Sequence, residues 1–359
     1  MRAMTVKPGK EGSAAVTDLG APAGEGDVVV DGISVGICGT DIEIAAGRYG
    51  TAPPGATRLV LGHESLGRVA SAPPSSGLAA GDLVVGIVRR PDPVPCGPCA
   101  AGAWDMCLNG KYTERGIKQL DGYGAEQWQV EPEFAVKVSA ALGDAAVLVE
   151  PTSVVAKAWD HVERIIARAP LAPRRALVTG AGPVGLLAAL LAVQRELEVH
   201  VLDRVVDGPK PDLVADLGAR YHTGDVTDVP EPDVVIECTG APSVVLDVVG
   251  HTTPAGVVCL TGVSSGGRTV SVDVGAANRE LVLENDVIFG SVNANRSHYE
   301  AAAEALAAAD ARWLAGILTR RVPLHSWIDG LERRPDDVKV TVDLRQPSVQ
   351  TMIAEGRRS

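Results

Sequence analysis

No segment of this 359-residue chain gathers lysine or arginine into a stripe, and its 33 basic residues are outnumbered by 45 acidic ones. A net charge of -12 therefore speaks against nucleic acid or an anionic membrane as a partner, because both are bound through clustered cations. Long apolar runs are missing too. The most apolar stretch, residues 186–193, falls far short of the roughly 20 residues that span a bilayer. The first residues lack the apolar core of an export signal, so cytoplasmic residence is expected. No internal repeat is visible. Cysteine is sparse: the six lie at 38, 96, 99, 107, 238 and 259. Three of them fall between 96 and 107, and an odd number cannot pair within one lobe. In a chain without an export signal such a cluster reads as metal binding before disulfides. Cys238 and Cys259 fall in sheet-like stretches and read as core residues. The 46% hydrophobic content builds real cores, the 22% charged fraction argues against disorder, and the length suits about two domains.

What is present centres on Gly180-Ala-Gly182-Pro183-Val184-Gly185. It follows the β-prone run Arg175-Ala-Leu-Val-Thr179 and opens the helical run 186–193. A strand, a glycine turn and a helix in this order form a dinucleotide site. Gly180 permits the tight turn, Gly182 admits backbone N–H groups to a pyrophosphate, and Gly185 lets helix and strand pack closely. The next strand, Glu198-Val-His-Val-Leu-Asp203, ends in an acid 18 residues beyond Gly185. An acid at about that distance is the expected ribose partner. NAD or NADP is the cofactor.

Before about residue 150 the chain shows short β-like runs at 27–35, 66–70 and 82–88, separated by turn residues, as in a small antiparallel barrel-like domain. A helix is predicted over 151–169. Strands alternating with helices follow, at 175–179, 198–202, 233–237, 256–261 and 287–290, which describes a doubly wound parallel sheet. The alanine-rich run 299–318 predicts one helix, and 338–344 a closing strand. The residues after Leu344 read as a loosely held tail. The strands at 256–261 and 287–290 are placed at the sheet edge, where edge pairing would build a dimer.

Three separate short stretches carry metal chemistry: Gly36-Ile-Cys38-Gly-Thr40-Asp41, Gly62-His63-Glu64 and Leu148-Val-Glu150-Pro151. Together Cys38, His63 and Glu150 offer a thiolate, an imidazole and a carboxylate. A catalytic zinc uses three such ligands and keeps a fourth position open.

In their order along the chain, these motifs, the cysteine lobe and the glycine turn resemble the zinc-dependent medium-chain dehydrogenases. Thr113-Glu114-Arg-Gly-Ile117, Met106-Cys107, Asp121-Gly-Tyr123 with Glu126, and Gly290-Ser291-Val-Asn293 look most like the microbial glucose dehydrogenases within that superfamily. The resemblance implies a GroES-like, mainly β catalytic domain over 1–150, a Rossmann domain over 151–293, and a segment over 294–359 that returns to complete the catalytic domain. It implies zinc on Cys38, His63 and Glu150, with Glu64 beside the metal as an occasional ligand. Thr40 would take the substrate proton, and Glu114, Glu150 and Asn293 would meet sugar hydroxyls. The cofactor surface would include Gly180, Gly182, Pro183, Val184, Gly185, Asp203, Arg204, Thr239, Gly240, Thr261, Gly262, Val263, Ser291 and Asn293.

The resemblance also implies a structural zinc in the lobe, with a departure. Cys96, Cys99 and Cys107 match three of the family's four cysteines, but the first position is Pro93, which cannot ligate. Either Asp92 takes that place, since carboxylates bind zinc, or the proline-rich loop is reshaped. Asp203 predicts a preference for NAD, because its charge repels a 2′-phosphate. The neighbouring Arg204 keeps NADP in play. The expected reaction is oxidation of an aldose such as D-glucose at C1 to its lactone. The same chemistry on another polyol, a cyclitol or an amino sugar is the alternative, and a non-catalytic nucleotide binder the remaining one. The resemblance implies a dimer or tetramer.

Overall fold

The computed structural model describes residues 1–22, 26–264 and 269–345, and the tail expected after Leu344 lies almost wholly outside them. The chain divides into two compact units. One comprises Met1–Leu148, Arg320–Arg333 and the residues from Val340; the other comprises Val149–Thr319 and Arg334–Lys339.

The first unit is organised by the strand Val28–Ile37, which alternates buried and exposed positions at its start and is fully buried over its last four residues. It sits at the centre of a seven-stranded sheet, between Glu64–Ser71 and Val340–Asp343, with Gln127–Val130 also paired to it. Its pairing with Glu64–Ser71 is antiparallel and sets Gly36 opposite Glu64. At its end the chain turns into the short helix Gly39–Ala45. A core of Met4, Val35, Ile37, Leu59, Leu61, Val88, Trp327 and Val342 lies under this corner, so both motifs that flank it are held by packed apolar side chains.

The second unit carries a six-stranded parallel sheet. Its order is Arg220–His222, Glu198–Leu202, Arg175–Thr179, Val234–Glu237, Val257–Leu260, Val287–Gly290. This is the doubly wound arrangement, with the glycine turn after a central strand and the chain order reversing beside it. The helix Pro183–Val193 buries every residue from Gly185 to Ala192, which explains why it is apolar all round. The helix Val149–Ile166 packs against it and against Arg296–Ala307, and its Trp159 donates its ring N–H to the Ala188 carbonyl at 3.3 Å.

Three expectations change. The strand at Val257–Leu260 is internal, so only Val287–Gly290 forms the far edge, and the short Arg220–His222 forms the other. The single helix expected over 299–318 is two, Arg296–Ala307 and Ala311–Ile317. The break has a capping cause: the Asp310 carboxylate accepts from the N–H groups of Arg312 (2.7 Å) and Trp313 (3.0 Å), starting a new helix. Residues 294–319 belong to the dinucleotide unit and not to a return segment, because Arg296–Ala307 packs on Val149–Ile166 with Tyr299, Ala302 and Leu306 buried. Among the described residues, no helix is long and apolar enough to cross a membrane.

Candidate active site

Cys38 is the N-cap of Gly39–Ala45. Its sulfur accepts the Thr40 N–H at 3.2 Å, while its own N–H donates to Asp41 Oδ2 at 3.0 Å. A helix start thus fixes the thiol and leaves Thr40 in the first turn, half-buried. His63 follows Gly62, whose φ of +92° and closeness to Val35 (a Cβ would stand 2.7 Å from its Cγ2) exclude other side chains. The Gly62 carbonyl accepts the Tyr123 N–H at 2.8 Å, and a Cβ on Gly122 would lie 2.4 Å from that same oxygen. The Gly122-Tyr123-Gly124 stretch is therefore the backing on which the His63-Glu64 turn rests.

His63 Nε2 lies 3.1 Å from Cys38 Sγ. Ligand atoms of Cys38, His63 and Glu64 all lie within 4.8 Å of one another. On the far side of the ring, Nδ1 stands 3.5 Å from Asp41 Oδ1, a placement that suits the outer carboxylate of a histidine ligand. Burial disfavours the imidazolium, but the Cys38 sulfur and the Asp41 carboxylate outweigh it and hold His63 well above its usual pKa. The soft sulfur, imidazole and carboxylate converging in one buried corner fit zinc. Glu150 lies in the other unit, half-buried in the first turn of Val149–Ile166, where its carbonyl accepts the Ser153 hydroxyl at 2.6 Å.

Cys96, Cys99 and Cys107 also present sulfurs within 4.8 Å of one another, without an Asp92 oxygen inside that distance. N–H groups of Cys99 and Leu108 lower the Cys96 thiol to about 7, whereas burial pushes Cys99 up to about 11. Asp92 is 3% exposed. Its Oδ1 accepts the Val94 N–H at 2.8 Å, and its Oδ2 is buried without a hydrogen-bond partner among the described residues. Three converging sulfurs and a half-used buried carboxylate on the same loop suit a structural zinc.

In the dinucleotide unit each glycine of the turn has its own reason. Gly180 has φ +87°; a Cβ on Gly185 would stand 1.7 Å from the Gly180 carbonyl oxygen; and Gly182, the N-cap of Pro183–Val193, faces open space within 4 Å. That open space at a helix N-terminus, with Pro183 and Val184 opening the helix, fits a pyrophosphate. Asp203 ends the neighbouring strand and Arg204 beside it is exposed. Thr239, Gly240, Thr261 and Gly262 meet around Glu237, which the sequence reading passed over. Glu237 is fully buried. Its Oε1 accepts from the N–H groups of Thr239 (2.7 Å) and Gly240 (3.1 Å) and from the hydroxyls of Thr179 (3.2 Å) and Thr239. Thr261 donates its hydroxyl to the Glu237 carbonyl at 2.7 Å. Glu237 thus ties together the ends of three strands, two through its carboxylate and the third through its backbone carbonyl. The available signal was an acid closing an otherwise apolar strand directly before Cys-Thr-Gly. Val263 is exposed, Ser291 is buried, and Asn293 adopts φ +62° with its Oδ1 accepting the Ala294 N–H at 2.8 Å. The Val292 carbonyl between them accepts from the buried Lys157 ammonium at 2.9 Å. Cys238 and Cys259 are pushed up to about 12 by burial, as inert core thiols are.

Glu114 is 5% exposed. Its Oε1 accepts from Arg89 Nε (3.1 Å) and Nη2 (2.9 Å), and the guanidinium lies 3.7 Å over the Tyr112 ring. It is an internal ion pair, not a surface acid.

Comparison with known proteins divides the chain near the same first boundary. The family described as "Alcohol dehydrogenase GroES-like domain" matches residues 24–140, and "Glucose dehydrogenase C-terminus" matches residues 143–344. The fold and site are therefore those of an alcohol dehydrogenase-type, NAD(P)-dependent oxidoreductase. Glucose 1-dehydrogenase of Methanocella arvoryzae is 39% identical over 357 residues, covering 96% of this chain and 99% of its own. That of Thermoproteus tenax is 39% identical over 354 residues, covering 96% and 100%. The crystal structure of glucose dehydrogenase from Haloferax mediterranei superposes with a TM-score of 0.88 at 32% identity, covering 97% and 100%. The same enzyme in complex with NADP, Zn and gluconolactone gives 0.88 at 31%. The chain belongs to the glucose dehydrogenase family.

Proposed function

We propose that this protein oxidises an aldose at C1, D-glucose foremost, to the lactone, with NAD⁺ preferred and NADP⁺ accepted. The observation that carries this reading is the convergence of Cys38, His63 and Glu64 in one buried corner, in a chain that also holds an intact glycine turn and its acid. Support for the sugar comes from the Haloferax mediterranei relative, solved with gluconolactone. When bound, zinc supplies Lewis acidity toward a hydroxyl and NAD(P)⁺ a hydride acceptor.

The chain's own residues do the rest. Cys38 and His63 ligate the metal, and Glu64 and Glu150 are the carboxylates assigned to it. Asp41 orients His63 from behind. The Thr40 hydroxyl, one residue beyond Gly39 in the same helix turn, accepts the sugar proton as it gives up its own toward solvent, the first step of a proton relay. Glu114 accepts hydrogen bonds from sugar hydroxyls and Asn293 both accepts and donates them, since the hydroxyls would otherwise lose their water partners on binding. Gly182 admits the pyrophosphate, and Asp203 accepts from the adenosine ribose. Asp92 completes a structural zinc with Cys96, Cys99 and Cys107. The Val287–Gly290 edge, beside a helix at Val274–Glu284 that exposes Val274, Val282 and Leu283, pairs with a second copy.

The test is NAD⁺ and NADP⁺ reduction across aldoses, polyols and cyclitols, with and without chelator. Activity that survives complete zinc removal removes the metal role; turnover of a cyclitol but no aldose removes the substrate. If kcat/KM with NADP⁺ exceeds that with NAD⁺, the preference is wrong.

A further inference from the structure

The acid that faces the ribose is already engaged. Asp203 Oδ1 accepts the Val205 N–H at 2.9 Å, and Oδ2 accepts the Ala181 N–H at 2.6 Å and the Lys210 ammonium at 3.0 Å. Ala181 lies inside the glycine turn itself. Both side chains are mostly buried, Asp203 at 9% and Lys210 at 15% exposure. Burial disfavours the Asp203 carboxylate, but the two N–H groups and Lys210 outweigh it and hold its pKa below the usual range. A carboxylate offers about four acceptor positions, so one is left for a ribose hydroxyl.

Lys210 is oddly placed for a merely structural cation. It stands in the first turn of the helix Pro209–Asp216, where the helix dipole disfavours positive charge. Pro209 and Pro211 on either side of it have no N–H to offer an anion. The positive charge on this edge is therefore the lysine's own. Other charged groups nearby are the exposed Arg204 and Asp207, Asp212 in the same first turn, and Asp336, whose Oδ1 would stand 3.1 Å from a Cβ on Gly208. Tyr221, behind the acid, donates its hydroxyl to the Val205 carbonyl at 2.6 Å and is kept protonated by burial and by the Asp203 charge.

We propose that Lys210 is the residue that decides how well the protein accepts NADP: it screens Asp203 in the NAD complex and turns to the 2′-phosphate in the NADP complex. A 2′-phosphate brings close to two negative charges against Asp203, and Lys210 is the cation already within hydrogen-bond distance of that acid. NAD binding then depends on Asp203, and NADP binding on Lys210. This rests on placing the adenosine ribose at Asp203, as proposed above.

The experiment is equilibrium titration of the full-length protein, by calorimetry, with NAD⁺, NADP⁺, 5′-AMP and adenosine 2′,5′-bisphosphate. The two fragments report on the ribose end without zinc, sugar or turnover. Lys210→Met is expected to weaken NADP⁺ and the bisphosphate about tenfold or more, the scale of one lost charge-assisted contact. NAD⁺ and 5′-AMP should change by less than about threefold. Lys210→Arg, which keeps the charge, should retain most NADP⁺ affinity and serves if the methionine variant does not fold. Equal weakening of both cofactors overturns the proposal, as does a loss of NADP⁺ affinity in Arg204→Ala but not in Lys210→Met. If Asp203→Ala leaves all four ligands unaffected, the ribose placement is what fails.

Discussion

The Glu64 carboxylate lies directly over the backbone of Gly36: a Cβ at position 36 would stand 1.9 Å from Glu64 Oε2 and 3.1 Å from Glu64 Cβ. The two residues are register partners in adjacent strands, and the missing side chain on one makes the room into which the other turns. Gly36 is two residues before Cys38, so this space also borders the metal corner.

Gly36→Ala should therefore act on the metal as well as on stability. The added methyl forces Glu64 aside, a steric insertion of the kind that costs about 1–3 kcal/mol. The expected result is a lower thermal midpoint together with reduced zinc content and turnover. Glu64→Gln, which keeps the shape, should lose turnover while keeping most of the thermal midpoint. A Gly36→Ala protein with full zinc and wild-type kcat would mean that Glu64 is spectator to the site.

Much of this was legible in the sequence because glycine and ligand spacing is local. The turn at Gly180–Gly185, the strand that ends at Asp203 and the Cys38 and His63 motifs each depend on neighbours within a few residues. What the sequence could not carry is set by distant partners. Glu114 reads as a sugar contact by resemblance and otherwise as a surface acid, until Arg89, 25 positions away, is seen to take its oxygen. Glu237 looks like the end of a strand until three strand ends are seen to share it. The helix break at Asp310 was missed because alanine periodicity is strong on both sides, while the capping acid is one residue. Lys210 has no motif at all. It matters only because a parallel sheet sets the start of one helix beside the end of the strand before it.

Glu131 gives the stability a defined acid limb. Its Oε2 accepts from Arg90 Nη2 (2.7 Å) and Nε (3.0 Å) and from Arg115 Nη2 (3.4 Å). Burial pushes its pKa up, but hydrogen bonds and charge from Arg90, with Arg115, outweigh it and bring it from 4.5 to about 2. With the folded pKa depressed, this contribution is complete above the unfolded value and is lost as pH falls from about 4.5 toward about 2. Glu131→Gln should lower the urea midpoint at neutral pH, and the gap from wild type should narrow steadily below about pH 4.5 and close only as pH reaches about 2 or lower. Because about a third of the side chain is exposed, salt should narrow the gap too. A gap independent of pH would assign the effect to packing against Arg90 instead.

Asn293 separates backbone from side-chain roles. Its φ of +62° lies where a side chain costs on the order of 1 kcal/mol and glycine costs little. Asn293→Gly should thus keep the thermal midpoint within a few degrees, while kcat/KM for the aldose falls at least about tenfold through the lost amide. Unchanged kcat/KM in this variant would withdraw Asn293 from the sugar and nicotinamide.

The cysteine lobe predicts a second metal with a role unlike the first. If Cys96, Cys99 and Cys107 hold zinc with Asp92, the purified protein carries two zinc ions per chain. Cys107→Ser should then leave one. Structural zinc contributes directly to folding, whereas a catalytic zinc is needed for chemistry. Cys107→Ser should accordingly lower the thermal midpoint while keeping measurable turnover at low temperature, and Cys38→Ser should do the reverse. Asp92→Asn tests the fourth ligand: a neutral amide in place of the carboxylate should weaken lobe zinc without touching the other site, seen as faster release to a colorimetric chelator. One zinc per chain in the wild type, with release kinetics identical in Asp92→Asn, would mean the lobe is held by its loop alone. In that case the buried Asp92 Oδ2, which has no hydrogen-bond partner among the described residues, should make Asp92→Asn neutral or stabilising, since an amide avoids the cost of an under-solvated charge.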